Sequence, residues 1–241
     1  MSLIRAVFLV LVSFCVSVVF ATAQEADITS TPRAESMPAV PGPGFAWVPK
    51  AGDEIAFKVI RNGSAFGTHK ISFSGDADGE LKVRSQVALK AGLGPITVFR
   101  YALDTTETWL NGVLVGLRGS GNNDGKKMRV SAEANADMLS IEGSEYTGVV
   151  ALGIIPSSHW NISQVQGTRM VSTEDGEIIP TRSQKVDREA LTIAGQRVEA
   201  DRYLLDAAID LDLWYDDQAR LVKLAFRTKG QLIEYELQKL Y

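Results

Sequence analysis

Glu54-Ile-Ala-Phe-Lys-Val-Ile-Arg61, followed at once by Asn62-Gly63, is the stretch of this 241-residue sequence that indicates the fold most clearly. Ile55, Phe57 and Val59 alternate with charged or small residues, which is the period of a strand with one buried face. Asn-Gly accepts the positive φ angles of a tight primed turn. The stretch therefore predicts a strand that enters a β-hairpin.

The same combination recurs along residues 51–241. In the run from Ile209 to Tyr215, apolar residues again occupy every second position. Turn signals between such runs are Asp78-Gly79, Asn111-Gly112, Asp124-Gly125, Asp175-Gly176, Gly195-Gln196 and Gly230-Gln231. We predict an all-β fold with little helix, at most one turn near Pro156 to His159. One antiparallel meander domain with an apolar face must curl into a barrel, half-barrel or sandwich to bury that face.

Three regions follow one another along the chain. Residues 1–23 combine one arginine, an apolar run from Ala6 to Phe20 and small residues before a cut, which predicts a cleaved signal peptide. A retained amino-terminal anchor is the alternative. Residues 24–50 contain five of the eight prolines and predict a flexible tether. Residues 51–241 form the β domain, and we expect the mature protein to be periplasmic.

Composition excludes several classes of protein. The chain has 25 basic and 29 acidic residues, a formal net charge of −4, and its longest basic cluster is Lys126-Lys127. Nucleic-acid binding is therefore not expected. The single cysteine, Cys15, lies inside the predicted signal peptide, so the mature protein has no disulfide or thiolate ligand. No integral membrane span is expected after cleavage.

Catalytic and metal motifs are weak. His69 is expected on the strand face of Ile71 and Phe73, and His159 follows Ser157-Ser158. Their spacing does not fit a zinc site. We therefore predict that His69 packs in the core and that His159 lies in a loop, and we expect neither a metal nor a cofactor. The sequence lacks the Gly-x-Ser-x-Gly turn of serine hydrolases, and no catalytic residue is predicted.

Paired carboxylates are the arrangement that glycosidases use, and Asp104 and Glu107 are one candidate pair. Such pairs are abundant on any acidic surface, and the sequence does not give the distance between the two carboxyl groups. An enzyme is therefore the least favoured class.

The stretch from Tyr146 to Pro156 breaks the alternation, because it is apolar on both faces. It predicts either a buried crossing strand or loop, or part of an apolar ligand pocket at a barrel mouth. Tryptophans on strands most often pack in the core or at its rim, and a platform on which a sugar stacks, formed by Trp109, Trp160 and Trp214, is the alternative. The candidate ligand-binding residues are Tyr146, Val149, Leu152, Ile154, Trp160 and Trp214.

Turn glycines and core aromatics also carry a family resemblance. The front half contains Phe57-x-Val59-x-x-Asn62-Gly63-x-x-x-Gly67 and Glu107-x-Trp109-x-x-Gly112-x-Leu114. The last third contains Ala200-x-x-Tyr203, Leu213-Trp214-Tyr215-Asp216, Leu221-Val222-x-Leu224, Gly230 and Tyr235-x-Leu237. The chain resembles the exported bacterial proteins of unknown function in the DUF6134 and DUF3108-like families. That resemblance implies a periplasmic all-β protein and supplies no catalytic residue.

Two classes of function remain. One is a binding module that shelters a lipid or other apolar ligand in the cell envelope. The other is an assembly or interaction scaffold that docks on another envelope protein through a sheet edge. The interior distinguishes them, because a hollow barrel favours a ligand and a filled one favours a scaffold. The faces expected to line it carry Phe57, Ile71, Phe99, Leu213 and Tyr235.

Overall fold

The computed structural model describes residues 47–75, 79–93 and 96–241. In these ranges the chain forms sixteen strands and one short 3₁₀ helix. Thirteen strands belong to one antiparallel sheet, and the other three form a small separate sheet. The predicted all-β fold with one antiparallel domain is therefore confirmed.

The first meander contains eight strands, each paired with the next in the chain. They are β1 (Glu54–Arg61), β2 (Ser64–Gly75), β3 (Glu80–Leu93), β4 (Ile96–Leu110), β5 (Val113–Asn123), β6 (Lys126–Asn135), β7 (Met138–Gly143) and β8 (Thr147–Ala151). Asn62, Asn111 and Asp124 adopt positive φ angles of 47°, 50° and 51° in the turns after β1, β4 and β5. The Asn-Gly and Asp-Gly signals there mark hairpin turns, as the sequence predicts.

The second meander returns to the first strand. Its strands are β12 (Arg182–Ile193), β13 (Gln196–Asp206), β14 (Leu211–Asp216), β15 (Leu221–Thr228) and β16 (Gln231–Leu237). β16 pairs antiparallel with β1, with Leu237 opposite Phe57, so the five strands extend the sheet beyond β1. β8 and β12 are the two edges of the sheet, which curls without closing.

Residues 152–181, the crossing segment, connect β8 to β12. They contain β9 (Ile155–Pro156), the 3₁₀ helix Ile162–Gln166, β10 (Arg169–Val171) and β11 (Ile178–Pro180). The helical turn therefore lies a few residues beyond the predicted Pro156 to His159, where the side chain of Asn161 caps it by accepting from the backbone N–H of Ser163.

Strand direction requires the crossing segment to traverse the sheet. Neighbouring strands of the thirteen-stranded sheet are antiparallel, so the turns after β1, β3, β5, β7, β13 and β15 lie at one end, the upper end. By the same alternation β8 finishes at the lower end, whereas β12 begins at the upper end. The crossing segment must therefore run from the lower to the upper end.

The core lies between the crossing segment and the inner face of the sheet, the face that carries Ile55 and Phe57. At the lower end Trp160 of the crossing segment packs edge to face against Phe73 and Trp109, with ring centroids 5.3 and 5.5 Å away. The indole of Trp160 thus fills the lower interior of the curled sheet, between aromatic side chains of β2 and β4.

Two strand glycines allow the backbone of the crossing segment to approach the sheet closely. A Cβ atom at Gly119 of β5 would lie 2.4 Å from the carbonyl oxygen of Thr173. A Cβ atom at Gly143 of β7 would lie 1.9 Å from the carbonyl oxygen of Asp175. Any larger residue at these positions would displace the crossing segment.

The described chain begins inside the predicted tether. The ring of Trp47 packs against Phe73 at 5.3 Å and Tyr241 at 4.8 Å. The rest of the predicted tether and the predicted signal peptide, residues 1–46, lie outside the described residues. Among the residues that are described, no helix is long and apolar enough to cross a membrane.

Candidate functional site

A cavity of about 340 Å³ lies at the upper end, between the inner face of the sheet and the crossing segment. We call it the upper cavity. Strands β1–β5 and β14–β16 contribute to its walls, and the loop of residues 207–209 lies at its edge. Pockets for small molecules usually measure about 300–1,000 Å³, so this cavity is at the lower end of that range.

The walls are mainly aliphatic and aromatic. Phe66 and Phe99 stack with their ring centroids 5.9 Å apart and form one wall. Phe66 faces inward because β2 contains a bulge, where Val59 pairs with Gly67 but the next residue of β1 pairs with Ala65. The bulge reverses the side-chain alternation and brings a ring to the inner face that strict alternation would expose.

Polar groups lie at the deep end of the upper cavity. Nε2 of His69 and Oγ of Ser85 share a hydrogen bond of 2.7 Å, and both side chains are buried. His159 also lines the cavity, with its Nδ1 donating to Oε1 of Gln164 at 2.8 Å. The two histidines of the chain therefore face one cavity from opposite sides, one from the sheet and one from the crossing segment.

A second polar pair joins the sheet to the crossing segment. The hydroxyl of Tyr101 donates to Oε1 of Glu174 at 3.0 Å. Burial raises the pKa of Tyr101 well above its ordinary value, and the adjacent Glu174 raises it further. Tyr101 therefore stays a neutral hydrogen-bond donor at physiological pH.

The pKa of His69 falls from 6.5 to about 3, first because burial disfavours the charged ring and second because His159 is near. In the unfolded chain the ring takes up a proton near pH 6.5. Between these two values the unfolded state binds more protons, so the histidine makes stability fall as the pH falls from about 6.5 towards 3. Above that window it contributes no pH dependence.

We expect His69→Gln to flatten this pH dependence. Denaturant unfolding at a series of pH values should show that the wild-type protein loses stability more steeply than the variant below pH 6.5. The difference in slope should approach about 1.4 kcal/mol per pH unit. Parallel curves over the whole range would contradict a neutral buried His69.

The His69–Ser85 pair places a base beside a hydroxyl, as in nucleophilic catalysis. In the described part of the chain, however, no carboxylate accepts a hydrogen bond from the His69 ring, so the third member of a hydrolase triad is missing. The pair is better suited to hydrogen bonding with a polar atom of a bound molecule.

Glu107 lies outside the upper cavity, and its side chain is fully buried. The indole N–H groups of Trp109 and Trp160 donate to its Oε2 at 2.8 and 3.0 Å. Burial raises the pKa of Glu107, and hydrogen bonds from Ser158, Trp160 and Trp109 oppose the shift. This carboxyl holds the crossing segment against β4.

Asp104, the other member of the candidate carboxylate pair, cannot act together with Glu107. It lies three residues away on the same strand, on the opposite face of the sheet, where it forms a salt bridge of 2.6 Å with Arg84. Among the described residues, no group of three histidine, cysteine or acidic side chains is arranged to hold a metal ion.

The six ligand-binding candidates from the sequence lie elsewhere, and none of them lines the upper cavity. Residues 147–151 form the edge strand β8, where Val149 is 59% exposed, and residues 152–156 begin the crossing segment. Ile154 and Trp160 are buried in the core, with Tyr146 and Leu152 packed against it. The indole of Trp214 instead donates to Glu189 at 3.0 Å.

The residues that do line the upper cavity were missed for two reasons. Alternation places His69, Ser85 and Tyr101 on inner faces, but it does not show that these faces meet at an unfilled end. Phe66 reaches the cavity only through the bulge, and no turn signal in the sequence marks that bulge. The break in alternation at Tyr146 to Pro156 marks a different stretch, which contains edge strand β8 and the start of the crossing segment.

A curled, open antiparallel sheet around a crossing segment, with a cavity at one end, defines a β-barrel-like protein. The chain belongs to a family of this class, the domain of unknown function DUF6134, whose model matches residues 57–238. The resemblance to DUF6134 is thereby confirmed.

A comparison with solved structures also indicates a β-barrel-like fold. The crystal structure of a β-barrel-like protein of domain of unknown function DUF1849 from Brucella abortus is similar, with a TM-score of 0.55. The match covers 76% of this chain and 94% of that chain at 8% sequence identity, so it shows the fold alone. No curated protein matches the sequence.

Proposed function

We propose that this protein is a binding module whose upper cavity holds a small apolar ligand, and that it works in the periplasm. The upper cavity carries the proposal. Its walls are mainly apolar, and hydrogen-bonding groups such as His69, Ser85 and His159 face the same space from the sheet and from the crossing segment. This combination of an apolar lining with a few placed hydrogen-bonding groups is typical of small-molecule sites.

Volume limits the size of the ligand. A cavity of about 150 Å³ holds benzene, and one water molecule occupies about 30 Å³ of the liquid. These two scales give roughly eleven to fourteen non-hydrogen atoms for the 340 Å³ of the upper cavity. A single aliphatic chain of about ten carbons fits this volume, whereas a diacyl lipid does not.

Filling the upper cavity should abolish binding. Val87 lies on its wall beside Ser85, so we expect Val87→Phe to occupy the space and remove the affinity for 1-decanol. Binding can be measured by titration calorimetry and by the rise in melting temperature that a ligand of the native state produces.

Val98→Phe is the matched control, because Val98 on the neighbouring strand is 55% exposed. This variant should bind 1-decanol as the wild type does. Binding that survives in Val87→Phe, or no binding by the wild type, would contradict a ligand site in the upper cavity.

The alternative function, docking through a sheet edge, has less structural support. Edge strand β12 contains a bulge between Lys185 and Asp187, and Arg188 follows. Bulges and charged side chains are the features that keep sheet edges from pairing with other strands. The other edge strand, β8, is only five residues long.

A further inference from the structure

We propose that the ligand is a single-chain amphiphile with an anionic head, and that Arg61 and Lys229 bind this head at the mouth of the upper cavity. This inference rests on the proposed function, since it assigns the polar end of the same ligand. Both side chains belong to the lining of the cavity.

The two basic residues lie at the same end of the sheet, in turns that are joined to each other. Arg61 ends β1, and Lys229 lies in the turn between the adjacent strands β15 and β16. Asn62 connects the two turns, with its backbone N–H donating to the carbonyl oxygen of Leu232 at 2.9 Å and its side-chain Oδ1 accepting from the Leu232 N–H at 2.8 Å.

Neither cation is neutralised within the described ranges, where no carboxylate lies in ion-pair contact with Arg61 or Lys229. Some other basic residues of the sheet are paired, for example Lys70 with Glu54 at 2.5 Å, Arg84 with Asp104 at 2.6 Å, and Arg202 with Asp212 at 2.8 Å. Two cations at the mouth of an apolar cavity, with no carboxylate of the described residues in ion-pair contact, favour an anionic partner.

The aromatic wall positions one of these charges. The guanidinium of Arg61 lies 4.9 Å from the ring centroid of Phe66, which in turn stacks on Phe99. A guanidinium held on an aromatic face keeps its N–H groups free for a carboxylate or phosphate. An amphiphile would therefore place its chain along the rings and its head against Arg61.

The lining of the upper cavity also contains one acidic residue, Glu174. Glu174 accepts the hydroxyl hydrogen of Tyr101, which lies on β4. Arg61 lies on β1, three strands away. The Glu174 carboxylate is thus already bound by a hydroxyl donor, and Arg61 and Tyr101 lie on strands that are not neighbours.

Three probes with the same chain length test the charge of the head: decanoate, 1-decanol and decylammonium. We expect decanoate to bind the wild-type protein roughly tenfold more tightly than 1-decanol, the size of one charge-assisted hydrogen bond. Decylammonium should bind more weakly than 1-decanol. Rising salt should reduce the advantage of decanoate, because the mouth is open to solvent.

The double variant Arg61→Gln with Lys229→Gln should bind decanoate and 1-decanol equally. Its affinity for 1-decanol should equal that of the wild type, which would show that the cavity is intact. Arg227→Gln, an exposed arginine on β15, is the control and should keep the preference for decanoate. Equal or tighter binding of 1-decanol by the wild type would overturn the anionic head and leave the binding module standing. Binding of none of the three probes would overturn both.

Discussion

Replacing Trp160 with alanine is expected to lower the free energy of unfolding by about 3–5 kcal/mol, the usual cost of removing a buried tryptophan. Its ring is 6% exposed and fills the space between Phe73 and Trp109. The substitution also removes one of the two indole donors to Glu107, which leaves a buried carboxyl with fewer hydrogen bonds. The crossing segment would lose its main anchor at the lower end.

Denaturant unfolding of the Trp160→Ala variant measures this loss. Val149→Ala is the control, because Val149 is 59% exposed and its replacement should change stability by no more than about 0.5 kcal/mol. Trp160→Phe should fall between the two, since it keeps part of the packing and loses the hydrogen bond. A loss below about 1 kcal/mol for Trp160→Ala would show that the crossing segment is not held by this residue.

The second large effect is expected from Gly143→Ala. The added methyl carbon would lie 1.9 Å from the carbonyl oxygen of Asp175, which is backbone and cannot rotate away. Overpacking costs about 1–3 kcal/mol, and we expect at least the upper end of that range because the crossing segment must shift as a whole. The shift would also reshape the upper cavity, since Glu174 lines it.

Gly167→Ala is the matched control in the crossing segment. Its φ angle is −83°, and the nearest atom to an added Cβ lies 3.6 Å away, so alanine fits without strain. Alanine at such a position leaves stability unchanged or raises it by about 0.4–1 kcal/mol. Equal stability of the two variants in thermal unfolding would contradict the close packing of the crossing segment on β7.

The fold was predictable because two local signals agree over most of residues 51–241. Alternation defined the inner face, and Asn-Gly or Asp-Gly placed the hairpin turns. The pairing of β16 with β1 is a long-range contact that periodicity does not encode. Nor does periodicity show that the segment after β8 passes through the interior, although the apolar stretch from Tyr146 to Pro156 indicated a crossing element.

The candidate site was less predictable. A cavity is the space that side chains of the curled sheet and of the crossing segment leave unfilled between them. Its position depends on packing in three dimensions. Of the residues expected to line a hollow interior, Phe99 and Tyr235 do line the upper cavity, whereas Phe57, Ile71 and Leu213 lie in the filled core. The interior is therefore filled at the lower end and open at the upper end.

The most direct test of a ligand in the upper cavity is mass spectrometry of the molecules that co-purify with the protein from its native host. Wild type, Val87→Phe and Val98→Phe should be purified in parallel and extracted with solvent. We predict a single-chain amphiphile in near-stoichiometric amount with the wild type and Val98→Phe, and its loss from Val87→Phe. A wild-type protein that carries no such molecule, or equal amounts in all three proteins, would contradict a binding function for the upper cavity.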